Sequence, residues 1–166
     1  MAEPSGDGRQ YLPTGDTCFV CGACNEGGLH ARFYTYGDGR VHVDFNPAEH
    51  FTGYTGVVHG GIIATVLDEI LGWAISLQSD RFTVTAELTI RYLKSLPSER
   101  PYHVESWVAE NKGRYWIAEG EVHDVDGVVY ARGRGKYFPL STEETRKVAD
   151  CLTYLPGDLP AFRGAE

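Results

Sequence analysis

An α+β domain, in which a curled antiparallel sheet wraps one long central helix, is the fold class that this 166-residue sequence predicts. Residues 60–77 are apolar nearly all round, the pattern of a helix covered on most sides by other structure. Residues 84–93 alternate, with Val84, Ala86, Leu88, Ile90 and Tyr92 on one face and Thr85, Glu87, Thr89 and Arg91 on the other, which reads as a half-buried strand. Residues 102–109, 114–124 and 128–138 continue as a meander, joined by the turn-forming Asn111-Lys112-Gly113 and Asp126-Gly127.

The remaining elements follow in chain order. Residues 1–17 are polar and rich in Gly and Pro and read as a disordered arm without the basic and apolar regions of a secretory signal. A Cys/Gly-rich loop at 18–28 precedes short strands at 30–36 and 40–45, with Gly37-Asp38-Gly39 supplying the turn. Residues 47–58 read as a long irregular loop, a type of segment that often lines sites. Ser141 and Glu144 form a capping box for a short helix to about Asp150, and Pro156 and Pro160 make the tail irregular. The chain thus divides into an arm (1–17), one folded domain (18–140) and a C-terminal helix and tail (141–166), without an internal repeat.

Composition excludes several classes of function. With 42% apolar residues the chain supports a single core, and its formal charge of -8 argues against nucleic acid or an anionic membrane as the main partner. Asp68 and Glu69 interrupt the apolar run 60–77, so a buried soluble helix is expected in place of a membrane span. Four cysteines, three of them at Cys18, Cys21 and Cys24, do not form a secreted disulfide framework, and a reducing, cytoplasmic compartment is expected.

The run Gly56-Val57-Val58-His59-Gly60-Gly61 leading into residues 62–69 carries the chemistry. Two glycines at a helix start expose backbone N–H groups where the helix dipole is positive, a place to hold an oxyanion; alternatively they serve only tight helix-to-sheet packing. Asp68 and Glu69 are the only charges in the helix, so one must face a polar cavity unless both are solvated at a sheet edge or paired with Arg91 or Lys94. Asp68 lies nine residues beyond His59. At about 1.5 Å per residue that is about 13 Å, too far for both to act on one carbonyl within a protomer. If both are catalytic, a second copy related by a twofold axis supplies one of them.

Residues 53–69, with His59-Gly60-Gly61 and Asp68 nine positions after the histidine, resemble the hotdog-fold acyl-CoA thioesterases of the phenylacetic-acid-pathway type. The similarity extends to Cys18-Phe19-Val20-Cys21-Gly22 with Asn25, Gly28 and Leu29, and to residues 84–93, covering roughly 18–138. It implies a hotdog fold and a homodimer or dimer of dimers. It also implies hydrolysis of an acyl-CoA, with coenzyme A present only as part of the substrate and no metal or other cofactor. By position it makes Asp68 the general base or nucleophile, gives the Gly60 N–H the carbonyl to polarise, has His59 help position that carbonyl and has Thr85 orient the attacking water. Gly61, Thr52 and Gly53 fall beside the substrate; several relatives carry an Asn six residues before the histidine, where this chain has Gly53 preceded by Thr52.

Other residues have a competing reading. Glu69, about 100° around the helix from Asp68, is expected in a structural ion pair. Cys18, Cys21, Cys24 and His30 offer four zinc ligands, but the spacing is cramped and buried or loop thiols are the default expectation. Arg91, Lys94 and Arg134, with Arg132 and Lys136, are candidates for CoA phosphates or simply solubilise an exposed sheet face. The other histidines, His30, His42, His50, His103 and His123, are scattered and receive no role. The sequence therefore predicts an acyl-CoA thioesterase. A non-catalytic acyl-CoA or acyl-carrier-protein binder on the same fold is the alternative, and a hydratase is a third, less favoured one.

Overall fold

A computed structural model describes residues 8–160 and 162. The strands in chain order are β1 (Gln10–Tyr11), β2 (Thr14–Gly15), β3 (Tyr34–Thr35), β4 (Arg40–Phe45), β5 (Thr52–Tyr54) and β6 (Val57–Val58). Then come helix α1 (Gly60–Ser79), β7 (Thr83–Tyr92), β8 (Tyr102–Asn111), β9 (Trp116–Asp124), β10 (Val129–Pro139), α2 (Thr142–Ala149) and β11 (Leu152–Thr153). Seven strands form one sheet in the order β1-β3-β4-β8-β9-β10-β7, antiparallel at every pairing. Helix α1 lies across β4, β8, β9, β10 and β7 and buries Ile63, Val66, Leu67, Ile70, Leu71, Trp73, Ala74 and Ile75. The predicted α+β arrangement of a sheet around one helix is the observed one.

Close contact of helix and sheet depends on two glycines that face each other across β9 and β10, Gly120 and Gly133. A Cβ on Gly120 would stand 2.6 Å from the Glu105 carbonyl oxygen and 3.2 Å from Leu71 Cδ2, and one on Gly133 would meet Leu67 at 3.4 Å. The backbone oxygen cannot give way as a side chain would. Gly120→Ala is therefore expected to destabilise the chain by about 1–3 kcal/mol, as measured by urea unfolding.

Several expectations change in detail. Residues 1–7 of the predicted arm lie outside the described residues, but from Gly8 onward the arm is structured. β1 joins the main sheet, Leu12 is fully buried, and β2 pairs with β11 through Gly15 and Leu152. The tail, expected to be irregular, therefore contains a strand, and Phe162 packs on Phe82 with ring centroids 4.2 Å apart. The apolar residues Leu12 and Phe162 supply the reason: each docks into the main core, which outweighs the turn-forming composition around it. The capping box appears as expected, with Ser141 Oγ accepting from Glu144 N and the Glu144 carboxylate accepting from Ser141 N. Residues 47–58 hold a short 3-10 turn and the β5-β6 hairpin in place of an irregular loop. His42, His103 and His123, which sequence spacing scatters, gather across β4, β8 and β9, with neighbouring ring centroids 5.3 and 5.1 Å apart.

Candidate active site

His59 is the N-cap of α1. Its Nδ1 accepts a 2.9 Å hydrogen bond from the Gly61 N–H, which puts the neutral ring's proton on Nε2. The His59 carbonyl accepts from Ile62 N and Ile63 N at 2.9 and 3.3 Å. The Gly60 N–H, at the positive end of the helix, has no partner among the described residues. Tyr92 holds this turn in place, its hydroxyl donating to the Gly60 carbonyl at 2.7 Å. Close packing favours glycine at both positions: a Cβ on Gly60 would press on the Tyr92 ring at 3.3 Å, and one on Gly61 would meet His59 Nδ1 at 2.9 Å.

A cleft of about 520 Å³ opens here, lined by Gly53, His59, Gly60, Tyr92 and Lys94 among others. Gly53 borders the histidine so closely that an added Cβ would stand 3.0 Å from His59 Cδ2. A side chain at this position would require the imidazole to shift slightly. Thr52 and Gly61 flank the cleft without lining it: Thr52 pairs with Val58, and the Gly61 N–H is held by His59.

Asp68, two and a half turns along α1, lies in a second cleft of about 320 Å³ together with Thr85, Tyr137, Glu69, Cys18 and Cys21. Asp68 Oδ1 accepts from Thr85 Oγ1 at 2.8 Å and from the Tyr137 hydroxyl at 3.1 Å, and Tyr137 also reaches the Asp68 carbonyl at 3.0 Å. Oδ2 accepts no hydrogen bond among the described residues, so one carboxylate oxygen is anchored and the other is available. Burial and the negative charge of Asp68 push the Tyr137 hydroxyl well above the usual tyrosine range, which keeps it protonated as a donor.

Strict alternation along 84–93 would turn Thr85 away from the face that carries Leu88 and Ile90. The structure corrects this. Thr85 pairs with Tyr137 and Glu87 with the adjacent Lys136, so Ala86 is the extra residue of a β-bulge. The bulge returns Thr85 to the helix side, where it and its cross-strand neighbour Tyr137 converge on one oxygen. Tyr137 is the candidate site residue that sequence reasoning missed. Its signal was its place in the helix-facing row Ala131, Gly133, Gly135, Tyr137, where a polar tip needs a partner.

Other predicted site residues lie elsewhere. Arg91 and Arg134 border a different depression, with Glu119, Glu121 and Arg132, on the sheet face away from α1. Arg134 is held there by Glu110 at 2.6 Å and by Glu119, and Arg132 by Glu121 at 2.8 Å. Strand alternation opposite the two helix-facing glycines dictates that outward direction. Lys94 alone of the proposed phosphate ligands borders a cleft of the site.

Glu69 is in no ion pair with a basic side chain among the described residues; it meets thiols instead. Cys18 Sγ and Glu69 Oε2 share a 3.1 Å hydrogen bond. Burial pushes the Glu69 carboxyl up to about 8. A hydrogen bond from the Cys21 side chain holds the Cys18 thiol down at about 5, while the bond to Cys18 and burial push Cys21 up.

This geometry can be set beside known proteins. The thioesterase superfamily model matches residues 55–131, the stretch that contains His59, Gly60, Asp68 and Thr85. A protein of Saccharolobus solfataricus named as an esterase is 33% identical over 110 residues, covering 66% of this chain and 78% of that one. The chain belongs to the thioesterase superfamily. The acyl-coenzyme A thioesterase THEM4 of Rattus norvegicus is 31% identical over 97 residues, which are 58% of this chain but only 41% of that protein. Among solved structures, the thioesterase superfamily protein RHA08564 superposes with a TM-score of 0.70 at 26% identity, covering 74% of this chain and 60% of that one. As in other thioesterases of this superfamily, the layout here is the hotdog fold, an antiparallel sheet packed on one long helix.

Proposed function

We propose that this thioesterase hydrolyses acyl-CoA to a free acid and coenzyme A, at a site completed by two copies of the chain. The observation that carries the reading is the presence on one helix of an Asp68 carboxylate anchored through one oxygen and of a Gly60 N–H that has no partner among the described residues. The Gly60 N–H polarises the thioester carbonyl. In one route Asp68 Oδ2 takes the proton of a water that attacks the carbonyl carbon; the oxyanion collapses, the C–S bond breaks and that proton passes to the departing sulfur, so that CoA leaves as the thiol. In the other Oδ2 attacks the carbon itself, CoA leaves and takes a proton from solvent, and a water then hydrolyses the Asp68–acyl anhydride, releasing the acid and restoring the carboxylate. The Nε2–H of His59 lies beside the carbonyl position, and Lys94 is placed for the CoA phosphates.

The edge of the sheet supports the two-copy arrangement. β7 has ten residues and, among the described residues, no strand paired on its outer edge, and Val84 and Tyr92 are both 52% exposed. Thr85 at one end of β7 holds Asp68, and Tyr92 at the other holds Gly60. If two β7 strands pair antiparallel across a twofold axis between Leu88 and Thr89, Thr85 of one chain stands opposite Tyr92 of its partner. The carboxylate of each chain then faces the helix start of the other, bridging a separation that one helix cannot close. A dimer of dimers is the natural larger assembly.

A panel of acyl-CoAs assayed for released thiol tests the reading. Binding of a CoA ester without turnover would favour the alternative, a non-catalytic acyl-CoA or acyl-carrier-protein binder, which the glycine at Gly53 prompts. Tyr137→Phe is expected to lower kcat about tenfold with little change in KM, and to cost about 1 kcal/mol of stability from the lost hydrogen bond. Steady-state kinetics and chemical unfolding of the same preparation measure both.

A further inference from the structure

We propose that Cys18, Cys21 and Glu69 form a zinc site, with its fourth coordination position open to water from the Asp68 cleft. The Sγ atoms of Cys18 and Cys21 and a carboxylate oxygen of Glu69 all lie within 4.8 Å of one another, and the Cys18 to Glu69 separation is 3.1 Å. Tetrahedral zinc, with Zn–S of about 2.3 Å and Zn–O of about 2.0–2.2 Å, sets its ligand atoms roughly 3.5–3.8 Å apart. The observed separations allow that spacing with small side-chain adjustments.

The backbone around the two cysteines is built as a chelating turn. Val20 N donates to Cys18 Sγ at 3.3 Å and Gly15 N to Cys21 Sγ at 3.4 Å, contacts that favour thiolates and fix both sulfurs. Gly22 closes the turn through its N–H to the Cys18 carbonyl at 3.0 Å, and a Cβ there would fall 2.4 Å from that oxygen. The third ligand arrives from α1, 51 residues away in the chain, as a carboxylate in a cleft wall with no basic partner among the described residues. Two thiolates select a soft, thiolate-seeking ion such as zinc over calcium or magnesium. Binding releases to solvent the protons that the ligand groups carry.

The ligand set differs from the cysteine and histidine quartet that spacing alone offers. Cys24 is exposed and outside the cluster, and His30 Nδ1 bonds to the Gly22 carbonyl at 3.0 Å. A metal here ties the turn at residues 18–22 to the helix residue next to Asp68. It thereby fixes one wall of the cleft in which Asp68 stands, without itself contacting the reacting thioester. The site does not depend on the hydrolytic reading, and its test reads metal and not turnover.

Full-length protein expressed in zinc-supplemented medium and purified without chelators is expected to contain about one zinc per chain by elemental analysis. Replacement by cobalt should give a thiolate-to-cobalt charge-transfer band in the near ultraviolet, with the visible bands of a tetrahedral site. Cys18→Ser and Cys21→Ser should lose the metal and the charge-transfer band, whereas Cys24→Ala should keep both. Glu69→Gln, checked for intact fold by circular dichroism, should keep the sulfur band, shift the visible bands and weaken zinc more than about tenfold in chelator competition. Wild-type protein that purifies metal-free and binds no cobalt would overturn the proposal. So would zinc retained by Cys18→Ser, or a Cys18 to Cys21 disulfide found in place of the metal.

Discussion

Asp68→Asn is expected to lower kcat/KM for acyl-CoA hydrolysis by roughly 10²–10⁴-fold while leaving the fold intact. The amide keeps an oxygen that can accept from Thr85 and Tyr137, as Asp68 Oδ1 does at 2.8 and 3.1 Å, so the surrounding hydrogen bonds survive. What disappears is the basic, nucleophilic Oδ2 facing the cleft. The thermal unfolding midpoint should therefore stay close to that of the wild type. Full activity in a folded Asp68→Asn protein would remove Asp68 from the chemistry.

Gly60→Pro is expected to reduce kcat by about 10²–10³-fold, because it deletes one hydrogen-bond donor at the position of the developing oxyanion. Proline at the first residue of a helix costs no intrahelical bond, and His59, with ψ of 132°, already has the extended backbone that a following proline demands; its Cβ would press on the Tyr92 ring at 3.3 Å, so circular dichroism and thermal unfolding of the variant accompany the assay. The decisive measurement mixes the two variants. If each site takes Asp68 from one chain and Gly60 from the other, subunit exchange between Asp68→Asn and Gly60→Pro regenerates one intact site per heterodimer. Equal mixing should then restore about a quarter of the wild-type activity, since half of the random dimers are mixed and each has one good site of two. Mixtures as inactive as their components would show that the two groups do not meet across an interface.

The parts of this site that could be read from the sequence are those that lie along one element. His59, Gly60 and Asp68 belong to one helix, and helical geometry converts their spacing into a distance without knowledge of anything else. The capping box at Ser141 and the central helix were legible for the same reason, being set by residues three or four apart. Tyr137 was not legible as an Asp68 ligand, because its role depends on cross-strand register between β10 and β7 and on a bulge at Ala86 that inverts the simple alternation. For Arg134 the sequence left open a phosphate ligand or a charge on an exposed sheet face, and its pairing with Glu110 and Glu119 from other strands of the sheet is visible only in the structure.

By itself, then, the sequence determined an α+β chain with one buried helix, an aspartate nine residues beyond the histidine that caps it, and a spacing too long for one protomer to use. Only the tertiary structure decided which groups surround that aspartate, which face of β7 Thr85 occupies, and that Cys18 and Cys21 meet Glu69. The division has a physical cause. Helix position and capping are fixed by local backbone geometry, whereas strand register, bulges and contacts 51 residues apart are chosen by packing of the whole core, which no short stretch of chain encodes.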